Sequence, residues 1–83
     1  MTDEAAASLL TQMLTSVEPR LQIRSTLDPT TFEVETVVAL TGPKGESRMR
    51  LRSSLYRDID NREHMKLYAE KVANSLCREV GFQ

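Results

Sequence analysis

The chain has 83 residues, 40% of them hydrophobic and 28% charged, with a formal net charge of −1 at pH 7. That length suits one domain over residues 1–83 with one core, and the charge balance argues against a surface built throughout to trap polyanions. A lone Cys77 excludes an internal disulfide and any cysteine-based zinc motif, and no apolar run approaches the roughly 18–20 residues that span a bilayer.

Thr2, followed by Asp3 and Glu4, reads as a helix start, with a cap and acids in the first turn. Leu9, Leu10, Met13, Leu14 and Val17 recur at helical spacing until Pro19 ends the pattern. The other face holds Ser8, Thr11, Gln12 and Thr15, all neutral, where a solvated helix more often carries charge. From Arg20 the period changes to two: Leu21, Ile23, Ser25 and Leu27 alternate with Gln22, Arg24 and Thr26 in a first strand. Asp28-Pro29-Thr30 supplies turn chemistry.

A second strand is expected over about 31–41, with Phe32, Val34, Val38 and Leu40 inward and Glu33 and Glu35 outward. Gly42-Pro43-Lys44-Gly45 forms the next turn, and a third strand runs to about Tyr56. Within it, Arg48-Met49-Arg50-Leu51-Arg52 sets three guanidinium groups on one face and apolar side chains on the other. A four-residue second loop pairs Val38 with Met49, Glu35 with Arg52, Ala39 with Arg48 and Phe32 with Leu55. A four-residue first loop pairs Leu27 with Phe32 and Arg24 with Glu35. Both hairpins then keep their apolar residues on one face.

Asp60 and Glu63 resemble a capping box that opens a last helix. Met65, Ala69, Val72, Leu76 and Val80 form its apolar stripe, Gly81 its C-terminal cap, and Phe82 folds back on the last turn. The expected fold is therefore α+β: an α-β-β-β-α order with a three-stranded antiparallel meander and both helices on one face. The core should contain Met13, Phe32, Val34, Val38, Leu51, Val72 and Leu76. This order resembles that of double-stranded RNA-binding domains. The last helix, however, opens with Asp60-Asn61-Arg62-Glu63-His64 where those domains carry a basic stretch.

Asp58, Asp60, Glu63 and His64 crowd together, but capping accounts for them better than a metal would, and no metal or other cofactor is expected. Cys77 falls inside a helix without an obvious basic activator, and there is no nucleophile elbow or phosphate loop, so no enzymatic activity is expected. The Arg row is the concentrated surface chemistry. Pairing with Glu35 occupies Arg24 and Arg52 and leaves Arg48 and Arg50 over Val37 and Ala39, with Tyr56 sharing the outward parity. Arg24, Val37, Arg48, Arg50, Arg52 and Tyr56 are thus the expected partner-binding residues.

Arginine and tyrosine over apolar surface is the composition of protein interface cores. The expected function is a non-enzymatic inhibitor or adaptor, of the kind common among phage and mobile-element proteins, that binds a partner protein through its open sheet face. Nucleic-acid binding through the same arginines is the alternative. The neutral face of the first helix, with Leu67 on the far side of the last, suggests a homodimer. The start of the chain shows no basic and apolar leader pattern, so a cytoplasmic location is expected.

Overall fold

The computed structural model describes residues 1–82. Its elements run α1 (Asp3–Val17), β1 (Gln22–Leu27), β2 (Val34–Gly42), β3 (Gly45–Arg52), a 3₁₀ turn (Ser53–Leu55) and α2 (Arg62–Val80). The strands form one antiparallel sheet in the order β1-β2-β3, so β2 is central and β1 and β3 are both edges. Val38, Leu40 and Leu51 from one sheet face join Ala6, Leu10 and Leu14 of α1 and Met65, Ala69, Val72, Leu76 and Val80 of α2 in a single core. The fold is α+β in the expected α-β-β-β-α order. Each fully buried leucine contributes about 1.5–3 kcal/mol relative to exposure.

The helix ends follow local chemistry. Thr2 Oγ1 accepts from Ala5 N at 3.1 Å. Gly81, at φ +88°, closes α2 in the left-handed conformation, with Phe82 N donating to Cys77 O at 2.9 Å. At the start of α2 the cap is Asn61, one residue after the expected Asp60: its Oδ1 accepts from Glu63 N and His64 N. The turn before it, closed by Ile59 N to Tyr56 O, holds Ile59 against the core and so sets where the helix can begin.

The β2–β3 register is the one read from the sequence, with Val38 opposite Met49, Ala39 opposite Arg48 and Glu35 opposite Arg52. The β1–β2 hairpin differs by two residues: Leu27 pairs with Val34, and Arg24 with Val37 rather than Glu35. Asp28 is the reason. Its Oδ1 accepts from Thr30 N, its carbonyl from Phe32 N, and its N–H donates to Glu33 O, closing a longer loop. Phe32 becomes a loop residue at φ +62° and lies outside the ladder, so it is 72% exposed and not in the core. A shift of two preserves side-chain parity, which is why the burial pattern survives it. Met13 only flanks the core.

β3 ends at Arg52, short of Tyr56, and Phe32 and Leu55 do not pair. The 3₁₀ turn is pinned by Ser53, whose hydroxyl accepts from Val34 N at 2.9 Å and donates to Asp3 Oδ2 at 2.6 Å. Arg57 adds a bond to the same carboxylate at 3.2 Å. The turn breaks the period of two. Tyr56 therefore points inward, fully buried, with its ring 5.7 Å from that of Tyr68, and Leu55 is exposed instead.

Candidate functional site

With both helices on one side, no element among the described residues lies over the outer face of the sheet. Three transverse rows cross it: Gln22–Ala39–Arg48, Arg24–Val37–Arg50 and Thr26–Glu35–Arg52. Paired residues on neighbouring strands share a face, so each row is a line of side chains across the sheet. Five of the expected binding residues, Arg24, Val37, Arg48, Arg50 and Arg52, are brought together here. The sixth, Tyr56, is not: it lies in the core, where burial pushes its phenol above the ordinary pKa and the Thr36 hydroxyl acts in the opposite direction. Tyr56 Oη makes no hydrogen bond among the described residues.

The ion pairing on this face also differs from the expected one. Arg48 Nε meets Glu46 Oε1 at 2.9 Å along its own strand, and Arg52 approaches Glu33 at 3.8 Å. Arg24 and Arg50 make no ion pair among the described residues. The two-residue shift of β1 produced this exchange by moving Arg24 away from Glu35 and alongside Val37. The result is two exposed guanidinium groups on opposite sides of a half-buried valine. At about 4.8 Å between neighbouring strands, their backbones stand roughly 10 Å apart. Beside them a shallow groove of about 420 Å³ is lined by Gln22, Ile23, Arg24, Val37, Ala39 and Arg48.

At one end of the sheet, where β1 and β3 finish and β2 begins, three large apolar residues are exposed: Phe32 (72%), Leu55 (65%) and Leu27 (45%). Reading the strands by parity missed these exposures. The signal for Phe32 was the Asp28-Pro29 turn, which displaces it from the ladder. A bulky residue at positive φ is uncommon and costs on the order of 1 kcal/mol or more.

Around the start of α2, Asp58, Asp60, Glu63 and His64 are exposed, and among the described residues no three His, Cys, Asp or Glu side chains converge as metal ligands would. Cys77 is half-buried, its sulfur 4.0 Å from Glu18 Oε1. No described helix is long and apolar enough to cross a membrane. Compared with known protein families, curated proteins and solved structures, the chain shows no match.

Proposed function

We propose that this chain is a non-enzymatic protein-binding module, an inhibitor or adaptor, that holds an acidic, apolar-centred segment of a partner protein on its outer sheet face. The observation that carries the reading is the row Arg24–Val37–Arg50, two exposed cations that meet no carboxylate among the described residues and flank an apolar floor. A partner carboxylate can take a bidentate bond from either guanidinium while an apolar side chain between them covers Val37. Phe32, held exposed at a strained backbone position just before β2, adds an exposed aromatic at that end of the sheet. Glu33, Glu35 and Glu46 share the surroundings of the arginines, which favours a protein partner over a nucleic-acid backbone.

The test is capture of partners from lysate, with and without nuclease, by the wild type and by Arg24→Glu/Arg50→Glu. Capture that resists nuclease and is lost in the variant supports the reading. With a captured partner in hand, Arg50→Ala should weaken binding by more than about 1 kcal/mol, as interface anchors often do. Arg48→Ala, whose side chain already has a carboxylate, should cost less. Capture unchanged in a folded double variant overturns the proposal. A steep log-linear fall of affinity with salt would mark a nucleic-acid ligand instead.

A further inference from the structure

The two edges of the sheet are protected very differently. β3 carries Glu46, Arg48, Arg50 and Arg52 among eight residues, and its inward Leu51 is buried. Charges of this density discourage another strand from pairing. β1 carries one charge, Arg24, in six residues, and its inward positions are not sealed: Ser25 is exposed and Leu27 is 45% exposed. Between β1 and the neutral face of α1 runs a groove of about 570 Å³, lined by Ser8, Thr11, Gln12, Ile23, Leu27 and Val34 among others.

We propose that β1 pairs antiparallel with β1 of a second copy of this chain, joining two sheets into one of six strands. The bond from Asp28 N to Glu33 O at 2.8 Å fixes the phase of the β1–β2 ladder. Thr26, Arg24 and Gln22 then bond toward β2, and the backbone groups of Ile23, Ser25 and Leu27 face the free edge. A two-fold register centred on Ser25 joins all three to Leu27, Ser25 and Ile23 of the second copy, each pair exchanging two backbone hydrogen bonds. Centres one residue either way join only two, and the one at Arg24 sets that arginine against itself.

The side chains agree with the same centre. On the inner face Ile23 meets Leu27 twice across the axis and fills the open end of each groove. On the outer face Arg24 meets neutral Thr26, and Gln22 meets Asp28. The strand is thus complementary to its own copy in hydrogen bonding, in apolar pairing and in charge, as an isologous contact requires.

Sedimentation should give twice the 9.4 kDa chain mass at high micromolar concentration. Leu27→Lys sets a charge against Ile23 of the second copy and should weaken association about tenfold or more, since the change acts twice across the axis. In a Cys77→Ser background, Ser25→Cys should cross-link on oxidation, because paired positions on the axis lie within the roughly 4.4–6.8 Å Cα range of disulfides. Lys66→Cys, exposed on α2, should not. The cross-link decides the matter should Leu27→Lys fail to fold. Arg50→Ala should leave the mass unchanged, which separates this interface from the outer face. A monomer at all concentrations, or a dimer that ignores Leu27→Lys and does not cross-link through Ser25→Cys, overturns the proposal.

Discussion

The two ends of the sheet are built to opposite specifications. At one end, where β2 turns into β3, the backbone is packed against the end of α2: Lys44 N donates to Val80 O at 2.9 Å. A Cβ on Gly42 would come within 2.7 Å of both Val80 Cγ2 and Val80 O. Arg20 fastens the same end, bonded twice to Glu18 at 2.7 and 2.8 Å and lying 3.9 Å over the Phe82 ring. At the other end Ser53 and Asp3 tie the interior together, yet Leu27, Phe32 and Leu55 are left in solvent. One end of the sheet is closed by packing against α2, and the other holds apolar side chains outward.

The largest effect is expected of Gly42→Ala. The new methyl meets backbone as well as side chain at Val80, so the cost should be about 2–3 kcal/mol, read as a lower urea midpoint with unchanged slope. A variant as stable as the wild type would mean that the sealed end is not sealed by this contact. The open end should answer in the other direction. Phe32→Gly relieves the left-handed backbone and should raise stability by about 1 kcal/mol. Phe32→Ala keeps the strained conformation and should give no such gain, while both variants should lose partner capture if the ring is an anchor.

The smallest effect concerns acid. The Arg20 guanidinium beside Glu18 holds that carboxyl down at about 2, below its ordinary 4.5. Asp3 is likewise lowered, first by the Ser53 hydroxyl and then by Arg57, against the opposing effect of burial. For a depressed carboxyl the stabilisation is complete above the unfolded-state pKa and is lost as pH falls through the folded one. Glu18 should therefore contribute fully above about pH 4.5 and progressively less towards pH 2. With Arg20 open to solvent, the contribution should be about 1 kcal/mol or less. Melting temperatures between pH 7 and pH 2 should fall less steeply in Glu18→Gln, and an identical slope would show that the pair adds nothing.

The sealed end was the legible one. Gly42-Pro43-Lys44-Gly45 is a short turn with one sensible register, and parity then placed Val37, Arg48, Arg50 and Arg52 correctly across β2 and β3. The helices were legible because Thr2, Pro19 and Gly81 punctuate clear apolar stripes. The open end was not. Whether Asp28 closes a loop of four residues or six depends on three hydrogen bonds that no periodicity reports, and Arg24 changed partners with that choice. Tyr56 escaped for a related reason: Ser53 is an ordinary strand residue by pattern, and only its bonds to Val34 and Asp3, nineteen and fifty residues away in sequence, turn the chain inward.

The packing of α1 on α2, the first element on the last, has a consequence for the order of events during synthesis. As the chain emerges, α1 precedes α2, and Leu10 and Leu14 belong to a core that is complete only when α2 supplies Met65, Ala69, Val72, Leu76 and Val80. Contacts between distant segments must overcome the closure of a long loop before they reward it. The β2–β3 hairpin, closed by its short turn, can form in the meantime with no such delay. A nascent chain halted before α2 should therefore hold a hairpin and an unprotected amphipathic helix, the form of this protein most exposed to chaperones and to aggregation.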